Sequence, residues 1–345
     1  MEKHYLNLKS NDYISQMNQE ELNKFLDDLN GSYLKLRENL GFDKDVTFGL
    51  EIEFEHADYD AVEKELCDSN LNKKWRLGYD YSLIEGREIT SPILRDNSET
   101  WETVKQICSY VTPHAVIDNQ CGGHIHVGAH LLKNQPTNWL NFIRLWQAYE
   151  NIIFRFTYGE YTSARLSMKY SKPVKYTFDK KYDEILKKYQ EINPQNETEN
   201  EIFILDDIIK KVGGIRNRAI NFGNITSSRI KELNNTIEFR CPNGTLNPII
   251  WQNNVNLLVN ILLCSTNNNF NKDVVDARVQ KNEIYEIYDD VDLILDYDEI
   301  YLEQALEFAD LVFTDNLNKM YFLRQYLKSF QVEKKSLVKA KKFTK

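Results

Sequence analysis

The sequence predicts an α+β domain in which one antiparallel sheet carries ionisable side chains on one face and is covered by helices on the other. Three observations predict it. Stretches around residues 48–54, 123–127 and 236–240 alternate apolar and ionisable residues with a period of two, the pattern of a strand with one buried face. Longer stretches, above all Trp139–Phe156, carry apolar residues at the three- and four-residue spacing of a helix. Strand and helix alternate, but without the crossover rhythm of a parallel sheet.

Taken in order, residues 12–40 hold Ile14, Met17, Leu22, Phe25, Leu26, Leu29, Leu34 and Leu36 at helical spacing with no strong break before Gly31, which predicts one or two scaffold helices. Val46–Phe54 reads as the first strand, followed by a polar helix from about Tyr59 and by short strands over Trp75–Leu83 and Arg87–Ser91, the latter closed by Pro92. A helix over Thr100–Val111 leads to a strand over Cys121–Gly128 and to the apolar helix Trp139–Phe156. Lys169 to Gly214 is rich in Lys, Asn and Glu around QEINPQNETEN and reads as an inserted surface segment. Residues 217–223 and 235–241 are strands again, and helices dominate from Ile249 onward. The expected organisation is an N-terminal helical segment over 1–45, a central domain over 46–265 with its polar insertion at about 169–214, and a C-terminal helical segment over 266–345.

The 345 residues, 42% of them hydrophobic, suffice for a sizeable core. A net charge of −9 argues against general nucleic-acid binding, which needs basic surface. The exception is the tail, where Lys334, Lys335, Lys339, Lys341, Lys342 and Lys345 are expected to be solvated, with contact to nucleic acid or an acidic partner as the sharper alternative. No run of eighteen apolar residues and no secretory leader pattern is present, so a cytoplasmic protein without membrane contact is expected. The five cysteines are scattered, with no CxxC pair, and are expected to be free thiols. Oligomeric state has no signal here.

The chemistry lies in the alternating strands. Glu51 and Glu53 share one face of Phe48–Phe54, His124 and His126 share one face of the next such strand, and Glu238 and Arg240 share one face of the third. Asp80 and Glu88 join them from two weaker strands. In one sheet these residues would bring five carboxylates together, which repel one another unless cations lie among them. Hard oxygen ligands favour Mg²⁺ or Mn²⁺, ions that bridge protein carboxylates to nucleotide phosphates. The arginine among them would then meet a transferring phosphoryl group. The His-x-His pair also fits a zinc or iron site of a hydrolase that activates water. No Walker-type or Gly-x-Gly-x-x-Gly loop is present, so nucleotide recognition would fall to the sheet and its ions.

The segments GLEIEFEH, DYSL with EITSP, CGGHIHVG, YTSARLSMKY with Arg165, AINFGN and TIEFRCPNGTL follow one another in an order and spacing that resembles the amidoligase family, carboxylate–amine ligases related to glutamine synthetase and glutamate–cysteine ligase. The resemblance spans roughly residues 46–260. It implies a glutamine synthetase-like antiparallel sheet forming a bowl-shaped active site, with helices on the outer face. It implies two or three Mg²⁺ ions, with Mn²⁺ as an alternative, and ATP. A substrate carboxylate would attack the γ-phosphate, and an amine would capture the acyl phosphate to give an amide or isopeptide bond. Glu51, Glu53, Glu88, Glu238 and His126 correspond to metal ligands, and His124 or His126 to a phosphate contact. Arg240, Glu53 and Asp80 correspond to catalytic positions, and Arg165 and Asn221 to nucleotide or substrate contacts. The partners implied are small-molecule, peptide or protein carboxylates and amines. A phosphotransferase acting on a guanidino or amine nitrogen remains the alternative within this fold class.

Overall fold

The computed structural model describes residues 14–31, 34–118, 120–161, 170–191, 197–212, 217–281 and 300–328. Within them lie six strands: β1 (Phe48–Phe54), β2 (Arg76–Tyr79), β3 (Arg87–Thr90), β4 (Gly123–Gly128), β5 (Ile220–Asn221) and β6 (Thr236–Phe239). They form one sheet in the order β2-β3-β1-β4-β6-β5, and every neighbouring pair is antiparallel. The helices are α1 (Gln19–Gly31), α2 (Tyr59–Asp68), α3 (Ser98–Val111), α4 (Pro136–Thr157), α5 (Lys175–Gln190), α6 (Glu197–Val212), α7 (Pro248–Ser265), α8 (Lys272–Lys281), α9 (Leu302–Val312) and α10 (Asn316–Tyr326).

One face of the sheet is the floor of the core. Phe48, Leu50, Ile52, Phe54, Ile89, Ile125, Val127, Ile237 and Phe239 are all buried there, as their period-two spacing dictates. Helices close over them: Trp101 of α3 stacks on Phe48, Trp146 of α4 stacks on Phe239, and Phe142 meets Phe239 edge-on. Each such aromatic contributes several times thermal energy through buried area and ring geometry together. Trp251 of α7 approaches so closely that a Cβ on Gly123 would lie 2.8 Å from its ring, which is why the strand opens on glycine. Helix α4 is buried along most of its length because it is covered by the sheet, by α5 and α6, and by α7 to α10. Asn97, Asn247 and Asp315 cap α3, α7 and α10 through their side-chain oxygens.

Three expectations differ from the structure. Residues 34–47 form no helix: they run as an irregular lead-in to β1 with a turn at 43–46, pinned where the Asp96 carboxylate accepts from the N–H groups of Leu40 and Phe42. The strand expected over Trp75–Leu83 stops at Tyr79, because Asp80 Oδ1 accepts from both the N–H and the hydroxyl of Ser82 and turns the chain. A Cβ at Gly86 would lie 2.3 Å from the Asp80 carbonyl oxygen, so the returning arm needs glycine. The stretch 169–214, expected at the surface, supplies α5 and α6, whose Phe178, Tyr182, Ile185, Ile204, Leu205, Ile208 and Val212 are buried. The lysine-rich tail, Arg165 and the Gly213–Gly214 pair lie outside the described residues. No described helix is long and apolar enough to cross a membrane, and none of the five cysteines is bridged.

Candidate active site

Strand register, more than any loop, assembles the site. Glu51 pairs with His124 across β1 and β4, Glu53 pairs with Glu88 across β1 and β3, and His126 pairs with Glu238 across β4 and β6. Directly paired residues share a face, so Glu51, Glu53, Glu88, His124, His126 and Glu238 all rise from the side opposite the core. Arg240 follows β6 on the same side, and Asn221 of β5 pairs with Glu238. Gly78 of β2 pairs with Glu88 and leaves the face above that carboxylate open. A cleft of about 500 Å³ stands over this face, lined by Glu51, Glu53, Glu88, His124 and Arg240 from the strands. Asp80, Tyr79, Tyr81 and Ser82 line it from the β2–β3 turn, and Gln120, Tyr170 and Asn217 from other segments.

The contacts are dense. His124 Nδ1 lies 2.8 Å from Glu51 Oε2 and 3.4 Å from the Arg240 guanidinium. The nitrogen cannot both donate and accept, and the shorter contact assigns the Nδ1 proton to Glu51. His124 Nε2 is buried and lies 3.1 Å from Glu53 Oε1, so the ring stands between two carboxylates. The other Glu53 oxygen accepts from the Gly122 N–H at 2.5 Å. His126 Nε2 lies 2.9 Å from Glu51 Oε1, and its Nδ1 lies 3.1 Å from the Thr236 hydroxyl. Arg240 donates to Glu238 Oε1 and, at 3.3 Å, to the Tyr170 carbonyl. Asn221 Nδ2 donates to Glu238 Oε2 at 2.7 Å. Thr90 donates its hydroxyl proton to Glu88 at 2.9 Å.

The electrostatics divide the carboxylates. Burial would raise the Glu51 pKa, but hydrogen bonds from His124 and His126 outweigh it and hold the group well below the usual carboxylate range. Burial likewise pulls His126 down, and its bond to Glu51 reverses the direction, so it is raised. Glu88 lacks such a partner: burial, reinforced by the charge of Glu51, pushes it up to about 7. Just beyond the cleft, buried Glu55 is raised by burial and by the neighbouring Asp118.

Among the described residues, two groups of side chains could each hold a metal ion, Glu51 with His126 and Glu238, and Glu51 with Glu88 and His124. Within each, the candidate ligand atoms lie within 4.8 Å of one another, and Glu51 belongs to both. The donor chemistry fits a divalent ion: carboxylate oxygens and imidazole nitrogens converge within ligand reach of one another, and Glu88, raised by burial and by the charge of Glu51, lacks a cationic partner of its own. Glu53 stands beside both groups without being part of either, its oxygens directed to Gly122 and His124. Asp80 lies at the rim, in the turn. The fold thus gathers every described residue singled out from the sequence, while Arg165 lies outside the described residues.

Thr90, Thr236, Gly122, Gln120, Tyr170 and Asn217 were not foreseen. Thr90 and Thr236 carried a usable signal, since each stands two residues from a glutamate on the same strand face. Tyr170 and Asn217 carried none: they flank the two-helix segment and reach the cleft only through the fold.

The model of a family described as Putative amidoligase enzyme matches residues 66–262, more than half of the chain. That stretch contains Glu88, His124, His126, Asn221, Glu238 and Arg240, whereas Glu51 and Glu53 precede it. No curated protein matches the chain.

Proposed function

We infer the reaction from two facts: the chain belongs to the amidoligase family, and its sheet gathers carboxylates, imidazoles and one guanidinium on a single open face. The enzyme is an ATP-dependent ligase that joins a carboxylate to an amine. The single observation that carries this reading is Glu51, the one side chain common to both metal-capable groups.

The sheet face is the floor of a glutamine synthetase-like bowl. Glu51, His126 and Glu238 would hold one Mg²⁺ or Mn²⁺, and Glu51, Glu88 and His124 a second. Bound there, the ions supply the positive charge that neutralises a nucleotide triphosphate. A substrate carboxylate oxygen attacks the γ-phosphorus, the bond to the bridging oxygen breaks, and ADP departs. The amine then attacks the acyl carbon, phosphate leaves, and the amine proton passes to a base, the role given to Asp80, which lines the cleft. Arg240 faces the transferring phosphoryl group, held in place by the Tyr170 carbonyl and Glu238. Asn221 acts as a positioning residue, since its amide fixes Glu238. Glu53 orients His124 and fixes the start of β4 through Gly122.

The test is ADP and phosphate release with Mg²⁺ across mixtures of carboxylates and amines. Arg240→Ala should lower kcat about 10²–10³-fold, the usual cost of removing a preorganised charge donor. Turnover unchanged in Arg240→Ala and in Glu238→Gln contradicts the reading. A phosphorylated acceptor in place of an amide assigns the alternative N-phosphotransferase.

A further inference from the structure

At the cleft mouth three tyrosines form a ladder. Tyr59 of α2 stacks on Tyr79 at the end of β2, with ring centroids 5.7 Å apart and planes within 11°, and Tyr79 stacks on Tyr81 of the turn at 6.1 Å and 12°. The Arg87 guanidinium sits 4.1 Å from the centre of the Tyr79 ring and stiffens the column. Tyr81, the last rung, is 91% exposed. It lines the carboxylate cleft of about 500 Å³ and also a neighbouring cavity of about 450 Å³ that shares Tyr79 and Asp80.

A tyrosine ring kept in water gains nothing for folding from its outer face, and here its inner face stacks on Tyr79, which itself packs on Tyr59 and Arg87. That leaves one flat aromatic face open to a ligand ring. Polar edges stand beside it: the Asp80 carboxylate, whose Oδ1 is fixed by Ser82, lines both cavities. Resting on the ligase reading above, the geometry points to Tyr81 as the stacking platform for the purine base of the nucleotide whose phosphates lie over Glu51. A purine offers the broad π-face that such a ring takes. Aromatic stacking suits a chain without a glycine-rich phosphate loop, because it gives the base a seat independent of backbone cradling.

The experiment compares two probes by calorimetry in the presence of Mg²⁺: a nonhydrolysable ATP analogue and inorganic tripolyphosphate, which has no base. Tyr81→Ala, at an exposed position that leaves the core untouched, should weaken the analogue about tenfold and leave tripolyphosphate unchanged, and Tyr81→Trp should retain analogue binding. Equal weakening of both probes, or no weakening of either, overturns the platform while leaving the ligase reading in place. Wild-type protein that binds neither probe overturns the ligase reading and the platform with it.

Discussion

The residue that most repays titration is Glu88. Its folded pKa, near 7, lies above the unfolded value of 4.5, so the native state holds the proton more firmly than the unfolded chain. For such a carboxyl the stability contribution is full below about pH 4.5 and is lost as pH rises from there through 7, with a slope of at most about 1.4 kcal/mol per pH unit. Without metal, stability from this group should therefore decline across that window, and Glu88→Gln should flatten the decline in urea unfolding at stepped pH. An unchanged slope in the variant would show that Glu88 titrates normally. Divalent ions must displace the same proton, so their affinity should rise with pH over the same range, as calorimetry in buffers of different ionisation enthalpy will show. At this scale the sequence was informative: a period of two sufficed to place Glu51 beside Glu53 and His124 beside His126. It did not reveal which carboxylate would be neutralised, because that depends on His124 and His126 both turning toward Glu51 across a strand boundary.

Among the elements, α5 and α6 carry the clearest lesson. Their sequences are rich in Lys, Asp and Glu, which hid a stripe at Phe178, Tyr182 and Ile185 and another at Ile204, Leu205, Ile208 and Val212. Four-residue spacing was present, but charge density masked it, and only the apolar flank of α4 explains why the stripes are buried. Phe178→Ala should cost about 3–5 kcal/mol and Ile208→Ala about 2–5 kcal/mol in denaturant unfolding. A cost below about 1 kcal/mol would mean that the helix pair is a peripheral flap. The β2–β3 hairpin presents the opposite case, since DYSLIEG already contains the Asp–Ser turn chemistry that ends β2. The expected strand ran past it because Tyr79, Tyr81 and Leu83 continue an alternation that the turn interrupts.

At the scale of the whole molecule, the order of strands was not legible. Six short strands admit many arrangements, and the observed one is chosen by which apolar faces α3, α4 and α7 can cover together. The same helices are tied to both ends of the described chain by buried amides. Gln325 donates to the Phe156 carbonyl and to Asn254 and accepts from Asn253, while Gln252 exchanges two 2.8 Å hydrogen bonds with the Arg37 backbone. Asp310 accepts from the N–H groups of Ile14 and Ser15. Gln325→Leu should leave those partners unsatisfied and cost about 2–3 kcal/mol, read as a lowered denaturation midpoint. A neutral result would mean that water replaces the amide.

The central claim is that one carboxylate, Glu51, serves two divalent ions. Counting Mn²⁺ bound per chain by electron paramagnetic resonance, in the presence of a nonhydrolysable ATP analogue, tests it most directly. Two ions are expected for the wild-type protein, one for Glu88→Gln and none bound tightly for Glu51→Gln. A single ion, or two ions that persist in Glu51→Gln, would contradict it.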